Sequence, residues 1–108
     1  VVEDELIIAF ALEDMLIDLG AEVRMASTVD EGFAQLDETG DLSLAVLDVN
    51  VQGQKSYPVA EELQRRGVPL IFATGYGDAE HPPHFAATPT LTKPYNRHQL
   101  VQAIEALL

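Results

Sequence analysis

The chain has 108 residues, of which 47% are hydrophobic; 6 Lys+Arg stand against 18 Asp+Glu for a net charge of −12, and there is no Cys or Trp. That length suits one domain around one core, and the apolar content excludes a disordered acidic tail. The missing cysteines exclude disulfide scaffolds and thiolate metal sites, while the charge counts against nucleic-acid binding, which needs clustered Lys and Arg, and suits a domain that takes up cations or meets a basic partner.

No apolar run approaches the ~20 residues that cross a bilayer, and no secretory or lipidation signal is visible. The chain opens on Val1-Val2 without a methionine. We therefore expect residues 1–108 to be one domain, a fragment lacking the first residues of its first strand, with the cytoplasm as default location.

In chain order, Val1-Val2 is the end of a strand. Leu6 to Leu19 has helical periodicity, with Ile8, Leu12, Met15, Leu16 and Leu19 in one stripe, Glu13, Asp14 and Asp18 facing away, and Gly20 as C-terminal cap. Ala21 to Met25 reads as a strand. Thr28 and Glu31 have capping-box spacing ahead of a helix carrying Val29, Phe33 and Leu36 and ending near Gly40. Leu44 to Val49 is a nearly continuous apolar run, as expected of a strand covered on both faces. A helix from about Pro58 to Arg66 stops at Gly67, and a second apolar strand spans Val68 to Ala73. Between Thr74 and Thr92 the Pro82-Pro83 pair opposes a regular helix, so that connection is short or irregular. Thr88 to Thr92 is the last strand. Gln99 to Leu108 is the last helix, with Leu100, Val101, Ile104, Leu107 and Leu108 inward and Asn96 as cap. Strands alternating with helices in this way predict an α/β fold: a doubly wound, five-stranded parallel sheet with a short or irregular fourth helix.

Ligands of such sheets bind beyond the carboxyl ends of the strands. Glu3-Asp4-Glu5 stands at the end of the first strand, Asp48-Val49-Asn50 at the third, Thr74-Gly75 at the fourth and Lys93-Pro94 after the fifth. Taken singly, each has an ordinary explanation. Glu3 and Asp4 suit the first turn of a helix, Asp48 suits a turn, Thr74 a strand end and Lys93 a solvated surface. Such residues at four strand ends of one edge are harder to explain that way. Clustered carboxylates call for a cation, and a hard divalent ion, Mg²⁺ above all, suits carboxylates plus a phosphoryl group. A carboxylate is also a competent phosphoryl acceptor, with a lysine and a hydroxyl to bind the transferring oxygens. The set is complete for phosphoryl transfer to Asp48.

Over essentially its whole length the chain resembles response-regulator receiver domains of two-component signalling, which have the flavodoxin-like fold. The matching segments are Val1-Val-Glu-Asp-Glu5, Leu44-Ala-Val-Leu-Asp-Val-Asn50, Ala73-Thr-Gly75 and Thr92-Lys-Pro-Tyr95. The resemblance implies that Asp48 accepts a phosphoryl group from a histidine kinase or phosphotransfer protein. It implies Mg²⁺ held by the Asp4 and Asp48 carboxylates, by the Asn50 backbone carbonyl and, through water, by Glu3, with Thr74 and Lys93 on the phosphoryl oxygens. The domain is then a signalling switch rather than a metabolic enzyme, acting on a downstream protein partner or output domain, not on nucleic acid or membrane.

The chain also departs from the family. Receivers usually carry Met-Pro and then Asp-Gly after the phosphoacceptor, where this chain reads Val51-Gln-Gly-Gln54; the usual aromatic switch position is Thr90. With Val68-Pro-Leu-Ile-Phe-Ala-Thr-Gly-Tyr76 it resembles an alphaproteobacterial receiver subgroup named for its Phe-Ala-Thr-Gly-Tyr motif. Tyr76 and the 75–87 segment are then expected to transmit phosphorylation through an order–disorder change. His81 and His84 have H-x-x-H spacing, but Pro82-Pro83 denies them the helix that would aim both rings at one metal. Tyr95 is read as a packing or partner-facing aromatic. The competing readings are an interaction module of this fold that signals without phosphate, and an Asp-nucleophile phosphatase of the haloacid dehalogenase type. The phosphatase resemblance calls for Asp-x-Asp after the first strand and a cap segment, and neither is present.

Overall fold

The structure, a computed structural model, describes residues 1–75 and 81–107. Its centre is a parallel sheet of β1 (Ala45–Asp48), β4 (Leu70–Thr74) and β5 (Thr90–Thr92) in the order β1-β4-β5. Val46 pairs with Ile71 and Phe72 with Thr90. β1 and β4 are buried residue by residue, which is why both read as unbroken apolar runs. The sequence predicts a five-stranded sheet; three strands form it among the described residues, with isolated parallel bridges from Val2 to Leu47 and from Val2 to Ala26 beside it. Val2 is the sole ladder partner in both bridges, so pairing there stops at one residue. The strand expected over Ala21 to Met25 does not form, and its neighbour Ala26 carries the bridge instead.

Alternation along the strands divides the core into two layers. Val46 and Ile71 pack with Leu12 and Leu16 of α1 (Leu6–Asp18) and Leu100 and Ala103 of α4 (Arg97–Leu107). Leu47 and Phe72 point the other way, to Val29 and Leu36 of α2 (Val29–Glu38) and Val59, Ala60 and Leu63 of α3 (Tyr57–Arg65). Two helices on each face make the sheet doubly wound, as expected. Gly32 marks the close approach of α2: a Cβ there would stand 3.2 Å from Val2 Cγ2 and 3.6 Å from Val59 Cγ2.

The helix ends follow their local chemistry. Thr28 Oγ1 accepts the Glu31 amide at 3.0 Å, but the Glu31 carboxylate returns to Ser27 rather than to the cap, accepting from its amide at 2.7 Å and its hydroxyl at 2.9 Å. Asn96 and Gln99 exchange two bonds, each amide donating to the other's side-chain oxygen at 2.9 Å, which caps α4. In α1, Leu12 and Leu16 are buried, but Leu19 is 43% exposed, so the expected stripe stops one turn early. Leu6, Ile7, Phe10 and Ile17 are also exposed. In α4, Val101, Ile104 and Leu107 are half-buried, and Leu108 lies outside the described residues. Between β4 and β5 the described residues of the connection include a 3-10 turn, Pro83–Phe85, whose Phe85 is fully buried.

A feature not anticipated is a two-stranded antiparallel hairpin, β2 (Asn50–Val51) with β3 (Gln54–Lys55). Gln52 and Gly53 turn it with φ of 52° and 76°, the pair of positive angles that a tight two-residue hairpin requires. No described helix is long and apolar enough to cross a membrane.

Candidate functional site

β1, β4 and β5 run in parallel, so their carboxyl ends meet at one edge, and the first strand's exit joins them there. Asp48 N–H donates to Val2 O and Val49 N–H to Ala73 O, both at 2.9 Å, while Lys93 N–H donates to Thr74 O at 2.8 Å. Backbone pairing thus brings Glu3, Asp48, Thr74 and Lys93 side by side. A cleft of about 220 Å³ at this edge is lined by Asp4, Glu5, Asp48, Asn50, Thr74, Gly75 and Lys93. Every site residue named from the sequence lies in or against it. Tyr76 lies outside the described residues. The Lys93–Pro94 peptide is cis.

Lys93 is the centre of the electrostatics. Its Nζ lies 2.7 Å from Glu3 Oε1, 3.1 Å from Asp48 Oδ2 and 3.4 Å from Glu5 Oε1. Glu3 and Asp48 are both buried, at 3% and 6% exposure. Burial pushes the Glu3 carboxyl up to about 7, despite the Lys93 hydrogen bond and the Glu5 amide that donates to Oε2 at 3.1 Å; the neighbouring Asp48 charge adds to the rise. Burial works against the Lys93 ammonium too, but its bonds to Glu3 and Asp48 outweigh it and hold the amine above its ordinary value. Lys93 is therefore a fixed cation.

Asp4 is held differently. Its Oδ2 accepts the Gln52 amide at 2.9 Å, so the β2–β3 turn braces it. Carboxylate oxygens of Glu3, Asp4 and Asp48 all come within 4.8 Å of one another. One lysine does not neutralise that many acids, and an all-oxygen donor set of this kind fits Mg²⁺ or a similar hard cation. Tyr95 packs beside the cleft in the α1–α4 layer. Its Oη is buried with no hydrogen-bond partner among the described residues, and burial pushes the phenol up to about 12. His81 and His84 look in different directions: His84 Nε2 lies 3.3 Å from Glu61, whereas His81 lies against Tyr57 and Thr90.

Sequence reasoning found all the strand-end residues but missed Glu5 as a third contact of Lys93 and the Gln52 brace on Asp4. The two-residue spacer between Asn50-Val51 and Gln54-Lys55 ends in Gly53, but Gln52 is not one of the residues that normally open such a turn, so the hairpin signal was weak.

Comparison with known proteins agrees with the geometry. Residues 1–105 match the family model described as response regulator receiver domain. Among curated proteins none matches. The chain is 41% identical to SdrG from Sphingomonas melonis Fr1 in its solution structure, with a TM-score of 0.86, covering 98% of this chain and 91% of that one. It is similarly related to the BeF3-activated conformation of SdrG from Pseudomonas melonis Fr1: 41% identity, TM-score 0.81, coverage 99% and 92%. TrrA from Thermotoga maritima, in complex with Mg(2+)-BeF, shares the fold at 24% identity and a TM-score of 0.84, with 99% of this chain and 95% of that one covered.

Proposed function

The chain belongs to the response regulator receiver domain family, and we propose that it works as a phosphoacceptor switch in which Asp48 takes a phosphoryl group from a phosphohistidine. The observation that carries this reading is the placement of Lys93 Nζ 3.1 Å from Asp48 Oδ2 within a group of converging carboxylates. A fixed ammonium beside a buried carboxylate, facing an acidic cleft, is what transfer of a charged group to that carboxylate needs. The donor is a histidine kinase or phosphotransfer protein, in the cytoplasm, and the phosphorylated domain then changes its contact with a downstream partner or output domain. The Val2 bridges to Ala26 and Leu47 fit a five-stranded sheet in which the outer pairing is reduced to single residues.

In this reading a carboxylate oxygen of Asp48 attacks phosphorus. The P–N bond to the donor imidazole breaks, its electron pair returns to the ring nitrogen, and that nitrogen picks up a proton. Lys93 pairs with one phosphoryl oxygen and the Thr74 hydroxyl donates to another. The Asp4 and Asp48 carboxylates, the Asn50 backbone carbonyl and, through water, Glu3 would hold Mg²⁺, which neutralises charge as the two anionic groups approach. Gln52 keeps Asp4 oriented for that role.

Intact-mass spectrometry after incubation with Mg²⁺ and acetyl phosphate tests the proposal. One added phosphoryl group on the wild type, absent from Asp48→Asn and abolished by chelator, is the expected result. No addition under conditions that label another receiver would overturn it and leave a phosphate-independent interaction module.

A further inference from the structure

We propose that His81 is a latch joining the two halves of the phosphoacceptor site: its imidazole cross-links Tyr57, at the start of α3, to Thr90 on β5, across the ring of Phe72. What the latch senses rests on the reading of Asp48 as phosphoacceptor. That the latch exists rests on its own geometry.

Tyr57 Oη lies 2.8 Å from His81 Nδ1, and His81 Nε2 lies 2.8 Å from Thr90 Oγ1. Thr90 Oγ1 in turn donates to Thr88 O at 3.3 Å. That contact is longer than the two to the imidazole and favours, without fixing, the arrangement in which Thr90 accepts from His81 Nε2–H and Nδ1 accepts from Tyr57 O–H. The imidazole also closes an aromatic box. It tilts over Phe72 with ring centroids 4.5 Å apart and meets Tyr57 edge-on at 5.7 Å. Phe72 and Tyr57 each pack on Phe85, at 5.2 and 6.0 Å. Burial lowers the His81 pKa, in keeping with a neutral ring.

Both ends of this bridge lead back to the site. Tyr57 follows Ser56, whose amide donates to Val49 O at 2.9 Å, directly after Asp48. Thr90 opens β5, the strand that delivers Lys93, and pairs with Phe72 two residues before Thr74. An imidazole has no rotatable bond between its nitrogens. A movement of β5 relative to the start of α3 therefore alters at least one of the two bonds. A histidine that only filled core space would keep its environment when the site is modified, and this separates the two roles.

The test is histidine-selective ¹⁵N NMR on the whole domain at neutral pH, with and without Mg²⁺ and beryllofluoride. Without beryllofluoride, His81 is expected as the Nε2–H tautomer, and Thr90→Val, which keeps the shape and removes one bond, should return it toward a mixture. With beryllofluoride, the His81 nitrogens should shift while those of exposed His98 stay; in Asp48→Asn neither should move. Unshifted His81 nitrogens, alongside shifted Asp48, Thr74 and Lys93 amides, would overturn the coupling. If those amides do not shift either, the phosphoacceptor reading fails and the coupling falls with it. A tautomer mixture in the unmodified wild type would overturn the bridge itself.

Discussion

Replacing Lys93 by methionine, of similar length and without charge, isolates the ammonium at the centre of the site. Breaking a buried ion pair by removing one partner costs about 3–5 kcal/mol when the other charge has no escape. Here one of the two close carboxylates has an escape. Glu3 is already pushed up to about 7, so near neutral pH it sheds its charge by taking a proton, and its share of the cost is small. The loss falls on Asp48, which gives up a charge-assisted bond worth about 1.5–3 kcal/mol. Glu5, 62% exposed at its side chain and 3.4 Å away, adds little. We expect Lys93→Met to cost about 2–3 kcal/mol at pH 7, below the range for an ion pair with no such outlet.

A double-mutant cycle measured by urea denaturation, in chelator and at constant ionic strength, checks the assignment. In an Asp48→Asn background the charge to be compensated is gone, and Lys93→Met should cost only about 1 kcal/mol, leaving a coupling of about 1–2 kcal/mol. Added Mg²⁺ should stabilise Lys93→Met more than wild type, because the freed carboxylates bind the ion without competition from the ammonium, and binding to the native state alone raises stability. Equal costs in both backgrounds would show that the 3.1 Å contact carries no energy and refute the reasoning.

Two further outcomes follow from single features. Gly53 has φ of 76° and open space around a would-be Cβ, so Gly53→Ala should cost about 1 kcal/mol through backbone strain alone. It should also weaken Mg²⁺ binding in calorimetry, because the Gln52 amide in the same turn braces Asp4; unchanged Mg²⁺ affinity would remove that role from the hairpin. The second concerns His81, whose pKa burial lowers from 6.5; the groups packed on it from α3, β4 and β5 are Tyr57, Phe72 and Thr90, of which Tyr57 is titratable. Below 6.5 the unfolded chain binds a proton that the folded chain resists, so this contribution is fully present above 6.5 and is lost as pH falls from there through the lowered folded value. The stability difference between wild type and His81→Phe should shift against wild type between pH 7.5 and 5.5, and a constant difference would contradict a half-buried neutral ring.

The sheet edge was legible in the sequence because it is written in residue types that strands otherwise avoid. Asp48 after four apolar residues and Lys93 before a proline are anomalies along the chain, and parallel pairing turns such anomalies into neighbours. The division of the core was legible for the same reason, since alternation assigns Val46 and Leu47 to opposite layers. The outer strands were less so: Ala21 to Met25 has strand-like composition, but the bridge to Val2 falls on Ala26, one residue beyond that run. Leu19 continued the periodicity of α1 without being covered, because periodicity marks a face and not how far the neighbouring layer extends. The Tyr57–His81–Thr90 bridge leaves no trace in periodicity. Its members stand 24 and 9 residues apart, and only the tertiary fold brings them together.

The departures from the family pattern gain a physical sense once the contacts are known. Proline has no amide hydrogen, so the Met-Pro usual in receivers would leave Asp4 without the donor that Gln52 supplies at 2.9 Å. Proline also fixes φ near −65° and could not adopt the 52° of Gln52. The hairpin and the brace on Asp4 therefore stand or fall together. Thr90 makes a parallel case. An aromatic at that position would have no side-chain oxygen of threonine geometry to accept from His81 Nε2–H, and the imidazole already covers the face of Phe72. In both places the residue that looks like a loss against the family pattern is the one whose polar atom the structure uses. Restoring the family residue at position 52 or 90 should weaken this site rather than improve it.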